Sequence, residues 1–326
     1  MLENYLNHLK YKNILFLKII IMHSNIISST KIVIPYNTPN INLNKLRIIT
    51  FNIAGQAQNN NSKIYSSERQ FVKLCQKTYQ GGWSNDHDSD TTNNNLSNAN
   101  NTNNNLILSQ CTLNAAQWLA HQRADIIGLQ EVVNKYMPLI IQQFKGYDYI
   151  GHNNSYIIYN KNLGLAQIIS PKFLTINGNG RTMLVVWFPD VKLVVVNLHA
   201  AHNIDLKISI EQVFNANITK NIKPTRIIVT GDFNDAYGCN LQQLNLLGFK
   251  LQQHGIPTKS CCTDRKYIYY GDYIFDSEYQ IPGFYGTPCD GIAPILYDDN
   301  NNLYLNPNSK NKLMSDHNPV VFYPRK

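Results

Sequence analysis

The chain has 326 residues and a mass of 37.3 kDa, with 43% hydrophobic residues and a mean hydropathy of −0.30. That length allows two domains or one large α/β domain, and the apolar content excludes a wholly disordered chain. A formal charge of +8, from 29 Lys and Arg against 21 Asp and Glu, suits a phosphate-rich partner such as nucleic acid or anionic lipid without selecting among them.

Residues 1–45 read as an N-terminal extension without clear periodicity. Within it the apolar run ILFLKIIIM at 14–22 is broken by Lys18 and falls short of the ~18 apolar residues of a membrane span. Lys10 and Lys12 give it the basic flank of a signal peptide, but Lys18 interrupts the apolar stretch; the expectation is a soluble, intracellular protein, with secretion left open. Six cysteines, at 75, 111, 239, 261, 262 and 289, form no CxxC pair, and they read as reduced structural thiols.

The folded domain is expected over 46–326, opening on LRIITFN at Leu46. It is interrupted at about 84–106 by an Asn-rich insertion, where NNNLSNANNTNNN has almost nothing to bury and reads as disordered. Leu108, Cys111, Ala115 and Leu119 then recur at helical spacing over 106–122, leading into the strand-like ADIIGLQE. Strands follow at 155–159, 182–188, 191–197 and 226–230, with helix-like segments at about 134–144 and 205–217. This is a mixed α/β pattern.

Five apolar runs give way to short polar residues: IITFN at Asn52, IIGLQE at Gln130 and Glu131, VVVNLHAAH at Asn197 and His199, IIVTGDFND at Asp232 and Asn234, and KLMSDHNPV at Asp316 and His317. A buried run needs no polar residue to complete its core face, so polar ends on several strands fit a site along one sheet edge. Asn197 and His199 are two apart, as are Asp232 and Asn234, which puts each pair on one face of an extended segment. Taken singly, such residues also end strands because they make turns. Together, Glu131, Asp232 and Asp316 would repel one another without a hard cation such as Mg²⁺, and the histidines beside them can hold a phosphate oxygen or move a proton.

At these residues the chain resembles the endonuclease/exonuclease/phosphatase superfamily, the DNase I-like fold, over about 46–324 without the insertion. The resemblance rests on TFN, LQEV, N-x-H, GDFN and SDHNPV in family order. It implies an α/β (α+β) four-layered sandwich, with two packed mixed β-sheets flanked by helices, and phosphoesterase activity dependent on Mg²⁺, with Mn²⁺ able to substitute. It matches Glu131 to the principal metal ligand, with Asn52 and Asp316 in the metal cluster. Asp232 and Asn234 match the residues that orient or deprotonate the attacking water, and His199 and His317 match phosphate-contacting histidines. The family pairs the last histidine with an upstream aspartate. Asp272 in GDYIF fits that pattern, with Asp290 in CDGIA as its rival. Asn197 and Arg181 are candidate substrate contacts, although Arg181 reads equally as a solvated strand-edge charge. The Tyr-rich stretch at 267–285 reads either as packing against the sheet or as a surface for stacking bases.

LQEV departs from the LQET-K form of exonuclease III-like enzymes, and their GWRIDY strand is absent. TDRK at 263–266 only echoes the WCDR motif of inositol phosphatases. The expected function is a monomeric Mg²⁺-dependent phosphodiesterase acting on DNA or RNA, with no stable membrane span. The alternatives are a phosphatase or phospholipase-type hydrolase of inositol phosphates, nucleotides or sphingolipids, and a non-catalytic nucleic-acid-binding module.

Overall fold

Seventeen strands and three α-helices are placed in a computed structural model that describes residues 41–53, 110–170, 182–200, 206–218, 221–234, 243–254, 259–261, 269–278, 283–286, 295–297, 303–305, 314–315 and 317–324. The 14–22 run, the Asn-rich insertion, Arg181, Asp290 and Asp316 lie outside these residues. In chain order come β1 (Ile48–Asn52), α1 (Gln110–Gln122), β2 (Ile126–Gln130), α2 (Met137–Ile141), β3 (Tyr147–His152), β4 (Ser155–Asn160), β5 (Gln167–Ile168), β6 (Met183–Phe188) and β7 (Leu193–His199). Then follow α3 (Leu206–Asn217), β8 (Arg226–Asp232), β9 (Gln243–Leu246), β10 (Phe249–Gln253), β11 (Lys259–Cys261), β12 (Tyr269–Tyr270) and β13 (Asp272–Asp276). The last strands are β14 (Gly283–Gly286), β15 (Ile295–Tyr297), β16 (Leu303–Leu305) and β17 (Val320–Pro324).

Two mixed sheets form, ordered β14-β17-β1-β2-β4-β3 and β5-β6-β7-β8-β13-β10-β9, with β11-β12 and β15-β16 as separate ribbons. Each large sheet has a parallel pair at its centre, β1 with β2 and β7 with β8, and antiparallel neighbours around it. The sheets pack face to face and helices cover their outer faces, which is the α/β sandwich expected from the motifs. Every residue of β1, β2, β7 and β8 is buried, as strands covered on both faces must be.

Alternation along each strand then decides which layer a side chain fills. Ile49, Phe51, Ile127 and Leu129 face outward and join Ala115, Leu119 and Ile140 of the helices α1 and α2. Val194, Val196, Leu198, Ile227 and Val229 face outward on the other sheet and meet Leu206, Ile210 and Phe214 of α3. The inner faces meet each other through Ile48, Ile126, Val195, Ile228 and Ile274. Two residues further along the same inner faces stand Thr50, Gly128, Asn197 and Thr230, and two further again Asn52, Gln130, His199 and Asp232. The inter-sheet space is thus filled in rungs that turn from apolar to polar to ionisable.

Gly128 is what lets the polar rung close. A Cβ there would stand 2.6 Å from Asn197 Oδ1 and 2.9 Å from Thr230 Cβ, and closer still to Thr230 Oγ1. Gly128→Ala is therefore expected to destabilise the fold by at least about 1–3 kcal/mol, the usual cost of overpacking. Urea denaturation checks this, and an unchanged midpoint would mean that the sheets have slack at that rung.

Two sequence expectations change. The helix read at 134–144 is a 3₁₀ turn, Asn134–Tyr136, followed by the five-residue α2, with Pro138 in its first turn. Proline lacks the amide hydrogen a helix interior needs and suits a first turn, so it restarts the helix rather than extending it. Cys111, near the start of α1, is disulfide-bonded, which corrects the reduced-thiol reading for that cysteine. Cysteine spacing alone does not reveal pairing. Among the described residues, no helix is long and apolar enough to cross a membrane.

Candidate active site

Strand direction brings the five motifs together. Parallel pairing sends the C-terminal ends of β1 and β2 out at one end of their sheet, in the register Asn52↔Gln130. The same holds for β7 and β8, in the register His199↔Asp232. Strand β13 runs antiparallel to β8, so its first residue arrives there, in the register Asp272↔Asp232. His317 precedes β17, which pairs antiparallel with β1. Six strands from two sheets therefore deliver polar residues to one end of the inter-sheet space.

Asp232 is the hub, and its side chain is 1% exposed. Its Oδ2 accepts a hydrogen bond from Asn52 Nδ2 at 2.9 Å, across the two sheets. His199 Nε2 lies 3.5 Å from the same oxygen and His317 Nε2 lies 3.9 Å from it. Its Oδ1 accepts the backbone N–H of Asn234 at 2.9 Å. Glu131 joins through Oε1, which accepts from Asn52 Nδ2 at 3.2 Å and lies 3.5 Å from His199 Nε2. One amide and one imidazole thus bridge two carboxylates.

His317 is oriented from behind. Its Nδ1 lies 2.9 Å from Asp272 Oδ2. An ionised carboxylate only accepts, so Nδ1 carries the proton and Nε2 is turned toward Asp232. Asp272 is fully buried, and among the described residues its Oδ1 has no hydrogen-bond partner. The backbone N–H of Asp272 donates to Ser260 Oγ at 2.9 Å, which fixes the start of β13.

Local backbone shape explains two of the motifs. Glu131 has φ +56° and Asn234 φ +49°. Asn enters this left-handed region readily, whereas Glu does so at a cost. Gly231, before Asp232, has no room for a Cβ, which would strike the carbonyl oxygen of Leu198 in the neighbouring strand. The glycine of GDFN is therefore a requirement of close strand packing, and the asparagine a requirement of the turn.

The structure gathers Asn52, Glu131, His199, Asp232, Asn234, Asp272 and His317, and places Asn197 elsewhere. Asn197 was expected to touch substrate. It is instead fully buried one rung inward, where Nδ2 donates to the Leu129 carbonyl, Ser155 Oγ and the Tyr156 carbonyl and Oδ1 accepts from Gln130 and Thr230. Its amide is spent on joining the sheets. Sequence reasoning passed over Ser315, whose Oγ donates to the Asn52 carbonyl at 2.7 Å and accepts the His317 N–H at 3.2 Å. The serine of SDH was its only signal. Ser260, in a segment without pattern, left none.

This donor set fits a hard divalent cation. The Glu131 and Asp232 carboxylates converge on the Asn52 amide, and Asp232, Asp272 and His317 each offer an atom within 4.8 Å of the others. Oxygen-rich sets with one imidazole suit Mg²⁺ or Mn²⁺.

Two packed mixed sheets with acidic and histidine side chains at one mouth define the class as an α/β-sandwich phosphoesterase. More particularly, residues 49–275 match the model of the Endonuclease/Exonuclease/phosphatase family, well over half of the chain. The chain belongs to that family, whose members are hydrolases acting on phosphoester bonds. It is similar to the crystal structure of humanized D. rerio TDP2, at 16% identity and TM-score 0.47, over 87% of this chain and 100% of that one. It is also similar to an endonuclease/exonuclease/phosphatase family protein from Bacteroides thetaiotaomicron, at 15% and 0.48, over 85% of this chain and 94% of that one. A third similarity is to ANGEL2, a 2′,3′-cyclic phosphatase, at 14% and 0.46, over 86% and 95%. No curated protein matches the sequence.

Proposed function

We propose that the chain is a Mg²⁺-dependent phosphodiesterase that cleaves nucleic acid. The observation that carries this reading is the Asp232 carboxylate, buried and ringed by Asn52, His199, His317 and Asn234, with Glu131 sharing two of those neighbours. Glu131 and Asn52 would hold the metal, with Asp316 joining them as the family resemblance implies. When bound, Mg²⁺ supplies Lewis-acid polarisation of a phosphoryl oxygen and neutralises charge at the leaving group.

The protein's own groups do the rest. Asp232, its Oδ1 anchored by the Asn234 N–H, orients a water and takes its proton, while the Asn234 side chain is held against the Ala200 carbonyl at 2.8 Å. His317 presents Nε2 to the phosphate with its ring fixed by Asp272, where it holds a phosphoryl oxygen as charge builds there. His199 faces the same phosphate from the neighbouring strand. Every group comes from one chain, so the reading needs no second subunit.

Nucleic acid is favoured as substrate because the +8 charge draws a polyanion to a site already crowded with carboxylates. The test is a panel of single- and double-stranded DNA, RNA, inositol phosphates and sphingomyelin, each with Mg²⁺ or Mn²⁺. Divalent-dependent cleavage of an oligonucleotide is the expected outcome. Turnover confined to a lipid or inositol phosphate would replace the substrate, and nucleic-acid binding without any turnover would make the chain a binding module.

A further inference from the structure

We infer that Gln130 is a positioning residue for the metal-binding carboxylate, clamping β2 so that Glu131 is held in its left-handed conformation and aimed at Asn52 and Asp232. The inference rests on the reading of Glu131 as a divalent-cation ligand. It goes beyond that reading by assigning a role to a residue that touches neither metal nor substrate.

Glu131 has φ +56°, a left-handed conformation that an L-residue with a long side chain adopts only at a cost. Such a residue persists only where its surroundings over-determine it. Downstream, Val132 is fully buried and its N–H donates to the Asn154 carbonyl at 3.0 Å. Upstream, the fully buried Gln130 lies on the inner face, with Nε2 donating to Thr50 Oγ1 at 3.1 Å and to Asn197 Oδ1. Asn197 is itself pinned by three further bonds to Leu129, Ser155 and Tyr156. The Gln130 carbonyl accepts the Ile53 N–H at 3.1 Å, next to Asn52. The chain is thus gripped on both sides of a residue that must hold an unfavourable φ.

The choice of an amide here is informative. Among the described residues Gln130 Oε1 is buried without a partner, and a buried unpaired carbonyl oxygen costs free energy that an apolar side chain would avoid. Methionine or leucine would fill the same space more cheaply. What the amide adds is the directional grip of its two N–H donors, and the residue that benefits is the next one in the chain. Without that grip Glu131 relaxes toward ordinary backbone and its carboxylate leaves Asn52.

The test is Mn²⁺ binding to the full chain without substrate, followed by electron paramagnetic resonance, alongside thermal unfolding. Gln130→Met keeps length and volume but removes both donors. It is expected to weaken Mn²⁺ binding by about tenfold, the usual lower range for a residue that orients a ligand, with a melting temperature close to wild type. Thr50→Val, which removes one acceptor, should weaken binding by a smaller factor, and Thr50→Ser should restore it. This pair carries the test if Gln130→Met does not fold. Wild-type Mn²⁺ affinity in folded Gln130→Met, or equal affinities in the two Thr50 variants, overturns the inference while leaving the function standing. A wild-type protein that binds no Mn²⁺ and hydrolyses phosphoesters in EDTA overturns the functional reading instead.

Discussion

Asp232→Ala is expected to lower turnover by about 10²–10⁴-fold, the range lost with a positioned proton acceptor, while the protein remains folded. Asp232 is in contact with Asn52, His199, His317 and Asn234, so its removal dismantles the arrangement on which the chemistry depends. The fold should survive because the cost is local. The Asn52 amide keeps Glu131 as an acceptor, and the inner rungs below are untouched. Removing one of two neighbouring carboxylates also relieves repulsion, so the metal-free protein should melt within a few degrees of wild type. Asp232→Asn keeps the shape, loses the charge and should fail nearly as badly in turnover. Initial rates with a melting curve for each variant check this, and a near-normal rate in either variant would remove Asp232 from the chemistry.

Asp276→Asn is expected to destabilise the protein by about 3–5 kcal/mol, the cost of breaking a buried ion pair from one side. At the end of the inter-sheet space opposite Asp232, Arg226 and Asp276 are 1% and 0% exposed. Arg226 Nε donates to Asp276 Oδ1 at 2.9 Å and its terminal nitrogens bond Asp276 Oδ2 and the Leu43 carbonyl. His254 Nε2 lies 3.1 Å from Asp276 Oδ2, with its ring stacked on Phe322 at 3.8 Å. With Asn at 276 the buried guanidinium is left with only the partly exposed Glu278 carboxylate, 3.7 Å from one terminal nitrogen, as counter-charge. Replacing both partners by apolar residues of similar volume should recover much of the loss, because the desolvation of both charges disappears with them.

The same cluster makes stability depend on acid. Burial works to raise the Asp276 pKa, but hydrogen bonds from His254 and Arg226, with the guanidinium charge, outweigh it and hold the carboxyl below its ordinary value. A depressed folded pKa gives stability that is fully present above the unfolded value, about 3.9 for Asp, and is lost as pH falls through the folded one. The gap in melting temperature between wild type and Asp276→Asn should therefore hold at pH 5–8 and shrink below about pH 4. A gap that does not change in acid would mean that Asp276 is not held as the carboxylate.

The motifs were legible because each carries ionisable or amide groups where an apolar run stops, and five such stops in order are hard to assemble by chance. The layer each residue fills was not legible. Runs such as IITFN and RIIVTGD are buried on both faces, so hydropathy shows no alternation, and only Thr50, Asn197 and Thr230 hint at which face looks inward. The β9–β10 hairpin escaped because its turn is Leu247-Gly248, with φ +49° and +83°, where Asn-Gly or Asp-Gly would be the recognisable pair. The strands β14, β15 and β16 have only three or four residues each, too few for a period to emerge. The Arg226–Asp276 pair spans 50 positions and has no local signature. Asn197 misled for a related reason. Its i,i+2 spacing to His199 does put both on one face, but that face runs from the site down into the protein, and spacing cannot tell depth.

The most direct measurement is the hydrolysis of an activated phosphodiester by wild type and Glu131→Ala, each with Mg²⁺ and with EDTA. A rate that requires both the metal and Glu131 is the predicted result. A rate that persists in EDTA and in Glu131→Ala would contradict the claim that these converging carboxylates form a metal-dependent phosphoesterase site.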